Sequence, residues 1–345
     1  MNFINVLHQI APEVISIIEQ RYAILRAVYY KAPIGRRALA LKLDKPERTI
    51  RNELDFLYDS GFLAKSPAGM QLNPAGERMF LELSDYIREI RGLSELEQEL
   101  ACRLKLNAVI IVPGDSDQDA VVKKDLAKAA ARYLRCSLED GDVLAVTGGT
   151  TLAQVAGCFA ADGTKRNVVV VPARGGLGED VELQANTIAA KLAQGLGGYY
   201  RLLHAPDNVE PHLIDTILKE PSIREVVSLG RRADVLLHGI GTAEEMAKRR
   251  GLAEEDVMQL IINGAVGEAF GYYFNEHGKV VYSTASVGIR MEDLAKIPLV
   301  VGVGGGRSKA WAMLSVVRLG YCDVCITDEG AARKVIQILK NKEDM

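Results

Sequence analysis

No apolar run in this sequence approaches the roughly 20 residues that cross a bilayer, so none reads as a membrane span. The first residues hold no cluster of positive charge, and Glu13 and Glu19 fall where a secretory leader would be apolar, so a cytoplasmic chain is expected. Cysteine is sparse: five residues, odd in number and scattered, which fits a reducing compartment rather than a disulfide framework. Cys322-Asp-Val-Cys325 is a lone C-x-x-C inside a strand-like run. With no second pair to complete a zinc site, it reads as core, and no metal is expected. No internal repeat or low-complexity tract is present. No Gly-Lys-Ser/Thr follows any Gly-rich stretch and no G-x-G-x-x-G occurs, which excludes the common nucleotide-binding loops. A formal net charge of −3 excludes bulk attraction to nucleic acid.

What is present is local. At 345 residues the chain is too long for one ordinary domain, so two unequal domains are expected. Between Arg21 and Asn52 nine Lys/Arg stand against two acids, a basic face on an otherwise acidic chain. Residues 3–30 have apolar positions at helical spacing (Ile4, Leu7, Val14, Ile17, Ile18). Two short helices follow over 35–43 and 46–60, with Leu39 and Leu43 inward on the first and Ile50, Leu54 and Leu57 inward on the second. Residues 62–64 and 70–72 form a small hairpin turned by Pro67 and Gly69. This is the pattern of a winged helix-turn-helix over 1–75, whose second helix would enter the major groove. Its outward face carries Glu47, Arg48, Arg51 and Asn52 with Thr49 beside them, and Arg and Asn can bond guanine and adenine edges bidentately. Arg36, Arg37 and Lys65 can neutralise phosphates. The competing reading is a solvated basic helix pair in a protein–protein module. Charge, spacing and hairpin together favour double-stranded DNA.

Residues 76–105 read as a helical connector, in which Ser94 and Glu97 suggest a capping box. The remainder, 106–345, alternates strand-like and helix-like segments. Strands are expected at 108–112, 143–147, 168–172, 233–238, 279–282, 299–303 and 323–327. Helices are expected at 118–135, 150–160, 182–196, 209–219, 243–250, 307–319 and 329–341. Apolar strands alternating with helices imply an α/β fold, a doubly wound and mainly parallel sheet.

Thr147-Gly-Gly-Thr-Thr151 places a Gly-rich turn between a strand and a helix, where backbone N–H groups and two hydroxyls can receive an anion. Alone, Gly148, Gly149, Thr150 and Thr151 could equally be a plain strand-to-helix turn. Three further cationic segments accompany it: Arg174-Gly-Gly176, Arg249-Arg250 at the end of a short helix, and Gly304-Gly-Gly-Arg-Ser-Lys309. In an open parallel sheet such turns gather beyond the carboxyl ends of the strands, where ligands bind. Several cations exceed what one phosphate needs, and Gln184 and Glu268 could bond sugar hydroxyls.

The runs Ile34-Gly-Arg-Arg37 and Glu47-Arg-Thr-Ile-Arg51, the turn at 147–151, Gln184-Ala-Asn186 and Gly264-Ala-Val-Gly-Glu268 together resemble the SorC family of sugar-responsive bacterial repressors. The likeness covers essentially the whole chain. It implies a sensing domain related to sugar-phosphate isomerases and deaminases, no cofactor, and repression of a glycolytic operon relieved by fructose 1,6-bisphosphate. The effector contacts it implies fall on Gly148, Gly149, Thr150, Thr151, Arg174, Gln184, Arg249, Arg250, Glu268 and Lys309. A dimer or tetramer is expected, since paired readers need fixed half-site spacing. The rival class is a sugar-phosphate isomerase or deaminase. Related deaminases carry an Asp-Gly-His run after a Gly-rich turn, yet no His follows Gly239-Ile-Gly241 here. His238 precedes that turn and reads as a packing residue, while Glu244, Glu245 and Glu268 are the bases an enzyme would have to use. No catalytic residue is assigned.

Overall fold

The computed structural model describes residues 3–159, 166–177 and 180–343. Residue 160, the expected end of one helix, and residues 1, 2, 344 and 345 of the expected domains lie outside them. The chain divides into two compact units, Met1–Ser94 and Glu95–Met345.

The N-terminal unit runs α1 (Phe3–Ile10), α2 (Pro12–Lys31), α3 (Arg36–Lys42), α4 (Glu47–Asp59), β1 (Leu63–Ser66), β2 (Gly69–Leu72) and α5 (Pro74–Ile90). Pro12 and Pro74 sit in first turns, where a missing N–H costs nothing, and the Asn73 side chain caps α5 by accepting from Gly76 N at 2.9 Å. Ile50, Leu54 and Leu57 turn one stripe of α4 inward against Leu39, Ile24, Val28, Phe80 and Ile87. Truncating Leu54 to Ala would cost about 2–5 kcal/mol. In the hairpin Leu63 pairs with Leu72, and Ile34 adds a bridge to Met70 at its tip. Gly69 has φ +140°, and a Cβ there would lie 2.5 Å from the Ile34 carbonyl carbon, so only glycine closes this turn. The arrangement is a winged helix-turn-helix.

The stretch expected as a connector is helical, as α5 and the helix Leu93–Leu104; α5 packs on the N-terminal core, and most of the second helix falls in the second unit. The capping box does not form. Ser94 lies inside that helix and donates to Glu89 Oε1 at 2.7 Å, while Glu97 Oε1 accepts from Ile111 N at 2.6 Å.

The second unit is built on seven strands: β3 (Ala108–Val112), β4 (Val143–Val146), β5 (Val169–Pro172), β6 (Tyr199–Tyr200), β7 (Val235–Gly239), β12 (Leu299–Val303) and β13 (Val324–Asp328), the numbering leaving β8 to β11 for the second sheet. All neighbours are parallel, in the order β3-β13-β12-β7-β4-β5-β6. Leu144, Val146, Val170, Leu237 and Val301 are fully buried, as strands covered on both faces require. From β4 the chain adds β5 and β6 on one side, then returns to lay β7 on the other. The β4–β7 boundary is therefore the topological switch point.

Four strands form a separate antiparallel sheet, β8 (Gly241–Thr242), β9 (Ala265–Ala269), β10 (Tyr272–Asn275) and β11 (Val280–Ser283), in the order β11-β10-β9-β8. This corrects the expectation for 279–282, which pairs here rather than in the parallel sheet. The helix expected at 209–219 is two short pieces, Pro211–Leu213 and Ile214–Ile217, and helices at Pro221–Arg231 and Glu254–Ile262 were not expected. Cys322 and Cys325 are buried, and burial pushes the Cys322 thiol up to about 12, which makes both structural. No metal-binding cluster and no helix long and apolar enough to cross a membrane occur among the described residues.

Candidate functional site

The turns after β5, β4, β7 and β12 leave four consecutive strands of the sheet and open onto one cleft of about 830 Å³. Gly148, Gly149, Thr150, Thr151, Arg174, Gln184, Arg249, Arg250, Glu268 and Lys309 all line it. The sequence therefore anticipated residues that the fold brings to one place.

At the switch point, Gly149 has φ +122° and opens the helix Thr150–Gly157, while a Cβ on Gly148 would lie 2.7 Å from the Leu183 carbonyl oxygen. The Gly149 N–H is given to that same carbonyl at 2.8 Å, so it is not the open anion donor the turn suggested. The positive end of the helix at Thr150 and Thr151 faces the cleft instead. Gln184 also lines the cleft, at the N-cap position of the helix Ala185–Leu196. In the same cleft Lys309 Nζ is 3.6 Å from Glu245 Oε2, and Arg249 closes the helix Ala243–Arg249.

Beneath them Arg174 and Arg250 are not open surface cations. Arg174 Nε donates to Asp207 Oδ1 at 2.8 Å and its Nη2 to Thr284 Oγ1 at 3.2 Å. Arg250 bonds Asp207 Oδ2 through Nη1 and Glu268 Oε1 at 2.9 Å through Nη2. Burial, with Arg250 alongside, pulls the Arg174 guanidinium down to about 9. Glu268, expected to reach sugar hydroxyls, also accepts from Gly271 N. Asp207, Thr284 and Ser286 complete this network, and sequence reading singled out none of them. They stand far from their partners along the chain and belong to no motif; an isolated Asp after Pro206 carries no signal.

His238 packs against Phe270 with ring centroids 4.4 Å apart, and its Nδ1 is 3.1 Å from the Gly239 carbonyl. It is wholly buried, which lowers its pKa to about 4. It does not line the cleft.

On the N-terminal unit Arg48, Arg51 and Asn52 are exposed on α4, and Thr49 is half-buried. Glu47 holds Arg36 Nε at 2.7 Å and lies 3.7 Å from Arg37 Nε, while Arg37 stays 90% exposed. Exposed pairs of this kind are worth about 0–1 kcal/mol, too little to keep these arginines from a phosphate. Lys65 is exposed on the wing, its Nζ 3.9 Å from the centre of the Tyr58 ring.

Residues 17–87 match the family model described as "CggR N-terminal DNA binding domain", and residues 88–337 match "Putative sugar-binding domain". The chain is 41% identical over 337 residues to the central glycolytic genes regulator of Priestia megaterium, covering 97% of this chain and 98% of that one. It is 40% identical over 329 residues to the regulator of the same name from Bacillus subtilis, covering 95% and 97%. Among solved structures, one described as a "putative SorC family transcriptional regulator from Enterococcus faecalis" shares 38% identity at a TM-score of 0.65, covering 70% of this chain and 99% of that one. The fold and the two matched domains define a transcriptional regulator that joins a DNA-binding domain to a sugar-binding domain, not an enzyme. The chain belongs to the SorC family, with its likeness to the central glycolytic genes regulators running along nearly its whole length.

Proposed function

We propose that this chain is a cytoplasmic repressor of glycolytic genes that binds an operator duplex and releases it when a phosphorylated sugar, fructose 1,6-bisphosphate, fills the cleft. The observation that carries this reading is the convergence of Thr150, Thr151, Arg249 and Lys309 on one cleft at the switch point of the sheet. One phosphate would sit at the helix end by Thr150 and Thr151, and the second would be held by Arg249 and Lys309. Arg48, Arg51 and Asn52 would read bases, with Thr49 beside them, and Arg36, Arg37 and Lys65 would meet phosphates. The DNA-binding domain would span 1–75 and the effector domain 106–345, and the working form would be a homodimer or tetramer. A ligand moves DNA affinity only through unequal affinity for two states, and the pairing of subunits is the natural state variable.

The test is operator binding measured by fluorescence anisotropy at fixed salt, with fructose 1,6-bisphosphate titrated in. Release of a specific duplex at sugar concentrations that leave a scrambled duplex unaffected supports the reading. Operator binding indifferent to every phosphosugar removes it.

A further inference from the structure

Arg174, Asp207, Arg250 and Glu268 form one continuous run of alternating charge along the cleft, each side chain no more than 7% exposed. Two guanidiniums are balanced by two carboxylates. Three donors converge on the single Asp207 carboxylate: Arg174 Nε at 2.8 Å, Arg250 Nη1, and Ser286 Oγ at 2.8 Å. Paired guanidiniums with a hydroxyl are the donor set a phosphate would recruit. The loop behind keeps Asp207 in place. Its own N–H donates to the Gly176 carbonyl at 2.9 Å, Val209 N donates to the Ala285 carbonyl at 3.1 Å, and a Cβ on Gly175 would lie 2.3 Å from the Pro206 carbonyl oxygen.

We propose that Asp207 is a specificity-determining residue that acts as an internal anion, holding the place between Arg174 and Arg250 that a free phosphate would otherwise take. This rests on reading the cleft as an anion site. With Asp207 present the buried guanidiniums offer a ligand no net charge, so a lone anion gains little and a ligand must also engage Thr150, Thr151 and Lys309. Without Asp207 two buried cations face one carboxylate, a state that protein interiors tolerate poorly. An anion from solution then relieves it.

The test is thermal melting of the full chain, wild type against Asp207→Asn, in inorganic phosphate and in chloride at matched ionic strength. In chloride the variant should melt roughly 5 °C or more below wild type, the scale of a broken buried ion pair in a chain of this size. Phosphate should then raise the variant several degrees more than it raises wild type. Equal phosphate shifts in the two proteins would overturn the proposal. Should Asp207→Asn fail to fold in chloride, its refolding yield in phosphate against chloride at matched ionic strength is read instead: a higher yield in phosphate, absent in wild type, supports the proposal, and equal yields count against it. A parallel melt of wild type with fructose 1,6-bisphosphate reads the sensor function separately, so a missing sugar response leaves the phosphate comparison to stand or fall alone.

Discussion

Asp328 Oδ2 accepts from Gly306 N at 2.7 Å, and this bond fixes the turn that delivers Lys309 to the cleft. The same oxygen accepts from Ser116 N at 2.9 Å, and Oδ1 accepts from Ala331 N at 2.9 Å, so one fully buried carboxylate ties three segments together. Asp117 adds a second clamp, accepting from Ser308 N at 2.7 Å. Asp328→Asn turns a donor toward these N–H groups and should cost about 1–3 kcal/mol in urea unfolding. It should also weaken phosphosugar binding while leaving effector-free operator binding intact. Unchanged sugar affinity in a measurably destabilised variant would show that the clamp does not position Lys309.

Arg51 is exposed on α4 with Arg48 and Asn52. Arg51→Ala should weaken operator binding by about 1–3 kcal/mol and relax preference at one base position, if the guanidinium meets a base edge. Anisotropy titrations against operator and single-base variants at fixed salt decide it. A loss equal for operator and scrambled duplex would assign Arg51 to phosphate contact instead.

His238 should tilt stability toward higher pH. Its folded pKa of about 4 lies below the ordinary 6.5, so between these values the unfolded chain takes up the proton first. The stabilisation is therefore complete above pH 6.5 and declines as pH falls toward 4, by on the order of 3 kcal/mol at most. Melting temperature followed across that window should fall less steeply in His238→Leu than in wild type. Parallel slopes would mean that the buried imidazole does not set the acid limb.

The parallel sheet was legible because its strands are short apolar runs, such as Leu144-Ala-Val146 and Val169-Val-Val171, set between helical segments. The wing and α4 were legible from Ile50, Leu54 and Leu57 at helical spacing and from Gly69 at its turn. The antiparallel sheet was not, because β9 carries Gly267 and Glu268 where an apolar alternation would have marked it. Gly267 is there because a Cβ would lie 2.8 Å from Ala312 Cα on the helix Ala310–Val317, a demand that exists only in the folded chain. In the cleft, Gly-rich turns and cations were readable, since local chemistry marks them. Their engagement was not: Asp207 meets Arg174, 33 positions away, and Arg250, 43 positions away, only after the chain folds. Ser94 and Glu97 show the converse, a local motif whose side chains other partners claimed, Glu89 just before it and Ile111 N in β3.

The most direct test of the account is calorimetric titration of the protein with fructose 1,6-bisphosphate and with fructose 6-phosphate, repeated in Thr151→Ala and Lys309→Ala. Charge-assisted hydrogen bonds contribute roughly 1.5–3 kcal/mol each. The bisphosphate should therefore bind at least about tenfold more tightly than the monophosphate, tenfold being about 1.4 kcal/mol. Each variant should lose affinity for the bisphosphate while keeping operator binding in its absence. Equal affinity for the two sugars, or variants that bind the bisphosphate as wild type does, would contradict the assignment of this cleft as a bisphosphosugar sensor.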